Sequence, residues 1–278
     1  MSLLPTLALT FPEIDPIAFQ LGPITVRWYG LAYMAGLMFG WYYMRLLIQN
    51  ERLWRGGKSP ITDENIDDLL LWVTLGIVIG GRLGFVLLYE PTYFLANPSE
   101  ILAIWHGGMS FHGALIGVSL AAYIFAKRNN IHLLSLGDLL CAATPIGIAL
   151  GRIANFINSE HFGRPTDAPW GMVFPNGGPD IRHPSQLYEA ALEGLALFLF
   201  LRFLTHNQFE LKHPGTIAGA FFIGYGCARI FCEIFRVPEA VHALNLGPIT
   251  TGQIYSLPMI GIGLIFLWLA RREQNQVA

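Results

Sequence analysis

The strongest constraint on this chain is a series of apolar runs, each about as long as a helix that crosses a bilayer. Such a helix needs roughly 20 mostly apolar residues. Lipid offers backbone groups no partners, so runs of this kind must be helical. Seven segments fit: 24–46, 67–89, 108–126, 136–155, 185–204, 215–234 and 251–270. The last is the clearest, since no Asp, Glu, Lys or Arg lies between Glu239 and Arg271. The fourth and fifth are interrupted by Asp138, Arg152, Glu189 and Glu193.

Composition agrees. Of 278 residues only 13% are charged, where a soluble domain carries about 25%. The 30 Gly and 17 Pro are too many for a soluble helical bundle but are tolerated in membrane helices. No polar linker divides the chain, so residues 1–278 are expected to form one polytopic domain. A net charge of −2 gives no basic field for nucleic acid. Cys141, Cys227 and Cys232 lie in apolar stretches without metal spacing, and an odd count argues against a disulfide framework. The N-terminus lacks a basic region and carries Glu13 and Asp15 before any long apolar run, so it does not read as a cleavable signal.

Lys and Arg near the span ends set orientation. Arg45, Arg52, Arg55, Lys58, Lys127, Arg128, Arg202, Lys212, Arg271 and Arg272 fall at one set of ends, while 90–107 has none. The expected fold is therefore an all-α integral membrane protein of seven transmembrane helices, N-terminus outside and C-terminus inside. The outer face would hold two long connections, an irregular extracytoplasmic lobe at about 156–184 and the segment 235–250. Long polar connections over a helical scaffold are where a membrane enzyme builds its site.

Several polar residues sit where an apolar span would exclude them. Arg82, Arg152 and Arg229 interrupt apolar runs toward the outer ends. One such Arg reads equally well as a structural residue paired with carboxylates or carbonyls. Three on one side favour a bound anion, because the guanidinium fork matches phosphate. Tyr225, Arg229 and Glu233 recur at four-residue spacing and share a helix face, so Glu233 can orient the guanidinium. Arg152 and Asn155 share a face at the end of the fourth span, with Asn158 and Glu160 adding polar groups to its rim. His112 enters the third span behind Gly107 and Gly108. It is a candidate general base, with an ordinary pKa of about 6.5, and is equally compatible with a satisfied core histidine. Trp28 and Tyr29 open the first span as interfacial aromatics. Glu189 and Glu193 are positioned to counter the outer arginines or to pair with other helices.

Over nearly its whole length the chain resembles the prolipoprotein diacylglyceryl transferase family. The resemblance rests on Phe11-Pro12-Glu13-Ile14-Asp15-Pro16, Gly22-Pro23, Trp28-Tyr29-Gly30, the run Gly107 to Gly113, Gly151-Arg152 through Glu160, Gly163-Arg164, His183 through Glu189, and Gly224-Tyr225-Gly226 through Arg229. Their shared order is more specific than any one motif. The family implies a transferase of the bacterial inner membrane, its active site toward the periplasm. Such an enzyme moves the diacylglyceryl group of phosphatidylglycerol, a membrane lipid, to the lipobox cysteine of a preprolipoprotein signal peptide, and leaves glycerol phosphate. By residue match it implies catalytic roles for Arg152, Arg229 and His112. It implies binding roles for Tyr29, Asn155, Asn158, Glu160, Gly163, Tyr225 and Glu233. No metal or other cofactor is required. Ala114 stands where many members have Gly, and the stretch 164–182 is short beside some relatives.

Other classes fit less well. A transporter would be expected to show an internal repeat, and none is visible. Ser110 and His112, two apart on a helix, point in different directions and make a poor protease dyad. The last span has no Lys for a retinal Schiff base.

Overall fold

The computed structural model describes residues 9–12, 14–22, 24–237 and 250–277, and these are mostly helical. The helices are α1 (Trp28–Gln49), α2 (Asp63–Leu88), α3 (Pro91–Ala96), α4 (Phe111–Arg128), α5 (Leu133–Ile157), α6 (Ser185–Glu189), α7 (Leu197–His206), α8 (Thr216–Glu233) and α9 (Thr251–Val277). Among the described residues, α1, α2, α5 and the Thr251–Arg272 part of α9 are long and apolar enough to cross a membrane.

The other three expected spans are also helical but fall short of that standard. Both α4 and α8 are 18 residues long; α4 ends on Lys127 and Arg128, and α8 carries Arg229 and Glu233. The fifth is divided between α6, a π-helical stretch Ala190–Ala196, and α7, of 5, 7 and 10 residues. The expected connection 235–250 lies largely outside the described residues, as do Glu13, Pro23 and Glu239.

The fold is not purely helical. Strands β1 (Ile17–Leu21) and β2 (Ile24–Arg27) form an antiparallel pair, so the helix expected from residue 24 opens instead at Trp28. β-Branched Ile24, Thr25 and Val26 favour a strand, and Gly22, at φ +60°, supplies the left-handed residue of the turn. A second small pair, β3 (Met172–Val173) and β4 (Ile181–Arg182), gives order to the 156–184 segment. Phe11, Phe156 and Phe174 are buried beneath it, their ring centroids 5.1–6.0 Å apart.

The chain divides into two compact units, Met44–Gly137 and the remainder, Met1–Tyr43 with Asp138–Ala278. Within Met44–Gly137, α2 and α4 pack through glycines at four-residue spacing. A Cβ at Gly84 would lie 2.6 Å from Gly113 Cα, and one at Gly80 would lie 2.7 Å from Gly117 Cα. Small residues allow this backbone approach, the usual device for joining helices in lipid. Arg82 of α2 is buried, and its guanidinium donates to the carbonyls of Glu100 (2.6 Å), Ile101 (2.9 Å), Ala103 (3.3 Å), Gly107 (2.6 Å) and Gly108 (3.1 Å). It therefore fastens the loop that leads into α4. The anion-binding reading of Arg82 is replaced by a structural one, because carbonyls take its donors.

In the other unit, α1 meets α5 where a Cβ at Gly36 would stand 3.0 Å from Gly147 Cα. Asp138, fully buried near the start of α5, accepts from Gly215 N (2.8 Å) and Ala218 N (2.7 Å). A side chain from a distant helix thus caps the N-terminus of α8, where the residue at the capping position is itself a glycine, Gly215. Asp138→Ala is expected to cost about 2–4 kcal/mol, since two buried N–H groups lose their acceptor. Thermal or denaturant unfolding in detergent measures this, and a loss below about 0.5 kcal/mol would show that α8 is held without the cap.

Candidate functional site

Three helical segments of the larger unit bring charged side chains into one buried cluster. Arg152 comes from the last two turns of α5, Glu189 and Glu193 from α6 and the π stretch, and Arg229 and Glu233 from α8. Isolated ions would each cost several kcal/mol in such a place, so they persist only as pairs. Arg152 Nε is 3.1 Å from Glu189 Oε2, and its Nη2 is 3.3 Å from Glu193 Oε2. Arg229 Nη1 lies 2.8 Å from Glu189 Oε1 and 3.4 Å from Glu193 Oε1, and its Nη2 lies 3.1 Å from Glu233 Oε2. Glu189 Oε2 and Glu233 Oε2 meet their arginines at ion-pair distance without hydrogen-bond alignment.

The two middle carboxylates flank the start of the π stretch, Glu189 closing α6 and Glu193 within the π turn. Four apart in sequence, they share a helix face, and Glu189 and Glu193 both contact both arginines. π Turns are commonly found at functional sites. Gly194 lets α5 approach this turn, since a Cβ there would lie 2.8 Å from Ala149 Cα. Gly252 at the start of α9 does the same for Glu233: its Cβ would stand 2.6 Å from the carboxylate carbon.

The cluster has a sided exposure. The side chains of Glu189 and Glu193 are fully buried, whereas those of Arg152 and Arg229 retain 19% and 16% exposure. The exposure that the cluster keeps is therefore on its arginine side chains, and a guanidinium reached from that side would receive an anion.

The remaining expected site residues are placed as follows. Tyr225, one turn before Arg229, is within electrostatic reach of Arg152, Arg229, Glu189 and Glu193. Tyr29 meets Tyr33 hydroxyl to hydroxyl at 3.3 Å, and Tyr33 in turn lies within electrostatic reach of Arg152. Asn155 is buried and donates through Nδ2 to Glu160 Oε2 at 3.4 Å, while Glu160 N donates to Asn155 O at 2.9 Å. Asn158 receives Asn176 Nδ2 on its carbonyl at 3.5 Å. Gly163 has a packing reason for its identity, since a Cβ would come within 2.6 Å of His183 O and Phe235 O. It pairs with Arg236 across an antiparallel bridge and donates its N–H to His183 O at 2.9 Å. His112 belongs to the other unit, at the second residue of α4, whose start is capped by Ser110 Oγ accepting from Gly113 N at 3.2 Å.

Four-residue spacing in the sequence exposed Glu233 as a partner of Arg229. It left the roles of Glu189 and Glu193 open, and it missed Arg236, which meets Glu189 Oε1 at 3.0 Å. Beside the cluster, Trp170 Nε1 donates to Tyr188 Oη at 2.6 Å, and Tyr188 Oη lies 3.0 Å from His183 Nδ1. Burial holds the His183 imidazole below its ordinary pKa, so it is neutral at pH 7.

Residues 16–269 match the family model described as prolipoprotein diacylglyceryl transferase. The chain is 49% identical over 272 residues to proteins of Brucella anthropi and Brucella canis, covering 98% of this chain and 97% of each relative. A protein of Brucella ovis matches to the same extent. All three relatives are named phosphatidylglycerol--prolipoprotein diacylglyceryl transferase.

Glu189→Gln leaves three guanidiniums without the charge they share. It is expected to lower stability by about 3–5 kcal/mol, the cost of breaking a buried ion pair from one side. Thermal unfolding of the purified variant reads this out, and a change under about 1 kcal/mol would place the cluster in the screened, surface-like regime.

Proposed function

The chain belongs to the prolipoprotein diacylglyceryl transferase family, and from that premise we propose how its residues divide the work. The protein is a transferase of lipoprotein biosynthesis acting in a membrane. Its substrates are phosphatidylglycerol and a prolipoprotein, and the acceptor atom is the sulfur of the lipobox cysteine. A carbon–sulfur bond forms as the bond between the diacylglycerol carbon and its phosphate oxygen breaks. The thiol proton goes to a base, the phosphodiester becomes the phosphate monoester of glycerol, and the diacylglyceryl group ends on the thioether.

The observation that carries the reading is the arginine edge of an otherwise closed ion cluster. A phosphodiester offers two non-bridging oxygens that share one negative charge, and Arg152 and Arg229 offer guanidiniums held by the same two buried carboxylates. Charge grows on the phosphate as the bond to carbon breaks, so fixed cations stabilise the transition state more than the ground state. Tyr225 and Asn155 add hydrogen bonds, Glu233 fixes Arg229, and Tyr29, Asn158, Glu160 and Gly163 complete the walls. His112 is the proposed base, since a thiol of pKa about 8.5 must become thiolate to attack carbon.

We place this domain in the bacterial inner membrane with seven spans, N-terminus outside and C-terminus inside. The excess of Lys and Arg at one set of helix ends supports that orientation. The segment 156–184 then faces the periplasm, where a translocated cysteine is available.

Incubation of the purified protein with phosphatidylglycerol and a lipobox peptide should add one diacylglyceryl mass to the cysteine. A cleaved peptide would indicate a protease, and an unchanged one would sink the transferase reading. Arg229→Lys is expected to lose most of this activity, because a point charge does not reproduce a two-pronged contact; full turnover would remove Arg229 from the phosphate clamp. For His112→Gln the expected result is a slower rate with an altered pH profile. Normal turnover across pH would put the base elsewhere.

A further inference from the structure

Arg236 lies just past the end of α8 and is more deeply buried than Arg152 and Arg229, its side chain only 5% exposed. Its Nη1 shares Glu189 Oε1 with Arg229 Nη1, at 3.0 and 2.8 Å. Its Nη2 lies 3.1 Å from His161 Nδ1, which must be the acceptor because a guanidinium only donates. Its backbone is tied independently: Arg236 bridges Gly163, and its carbonyl accepts Arg164 Nε at 2.8 Å. The side chain therefore has a role beyond holding the strand-like segment in place.

That role follows from counting charges. Among the described residues, Arg152, Arg229 and Arg236 face Glu189, Glu193 and Glu233, three cations against three anions. Without Arg236 these described side chains carry two cations against three anions, and an anionic headgroup arriving at Arg152 and Arg229 meets repulsion from the buried carboxylates. We infer that Arg236 is a positioning residue for the anionic lipid: it draws on Glu189 from behind, so that Arg152 and Arg229 keep positive field for a phosphodiester. This rests on the proposal that these two arginines receive the phosphate of phosphatidylglycerol.

The test is steady-state transfer to a lipobox peptide, varying phosphatidylglycerol, with wild type, Arg236→Gln and Arg236→Lys, and thermal unfolding recorded for each. Arg236→Gln should raise KM for the lipid roughly tenfold or more, as expected for one unit charge several ångströms away at an effective dielectric constant of about 20. Its kcat should fall as well, because the phosphate gains charge as the bond to carbon breaks, and Arg236→Lys should recover most of both losses because it keeps the charge. A wild-type KM in Arg236→Gln would overturn the inference, as would a folded Lys variant no better than Gln. If the Gln variant does not fold, Lys decides alone: a KM near wild type supports the charge role, and a tenfold rise in a stable Lys variant refutes it. A wild type inactive on phosphatidylglycerol would instead bring down the parent reading, which separates the two failures.

Discussion

Burying three guanidiniums among apolar helices is the constraint on which the larger unit depends. Each ion would be costly alone, and mutual pairing offsets the cost only when the geometry is held by the backbone. The helix contacts supply that. Gly194 lets α5 approach the π turn, Gly252 lets α9 begin against Glu233, and Asp138 caps the N-terminus of the helix that carries Arg229. Glu189 is the hub, since each of the three arginines touches it.

The protein uses buried arginine in two different ways. Arg82 donates to five carbonyls and becomes a fastening for the loop before α4. Carbonyls carry no net charge, so the cation is solvated by dipoles and its forks are closed by main chain. Arg152 and Arg229 are paired with carboxylates and keep part of their surface open. The first arrangement builds a scaffold; in the second, the proposed ligand would meet a charged fork already held in place.

Local spacing made part of this legible. Arg229 and Glu233 are one helical turn apart, so their ion pair follows from periodicity, and hydropathy located every long helix. The partners of Arg152 stand 37 and 41 positions away, and Arg236 stands 47 from Glu189, distances over which a single sequence carries no pairing signal. The π stretch has no composition of its own, because AALEGLA would serve equally in an α-helix. The hairpin at Ile17–Arg27 was concealed by apolar strands that read as the start of a span, although Gly22 and the β-branched run Ile24-Thr25-Val26 were available signals. Arg82 looked like its two counterparts because carbonyl partners leave no trace in residue identity.

The claim at the centre is that the phosphate of phosphatidylglycerol sits against Arg152 and Arg229. Solid-state NMR of the protein in bilayers, with guanidinium nitrogens labelled and the lipid phosphorus observed, measures that contact directly. Strong nitrogen–phosphorus dipolar dephasing is predicted, from resonances assigned to Arg152 and Arg229 and not from those of Arg82. Dephasing absent from both of these arginines while bound phosphatidylglycerol is present would contradict it.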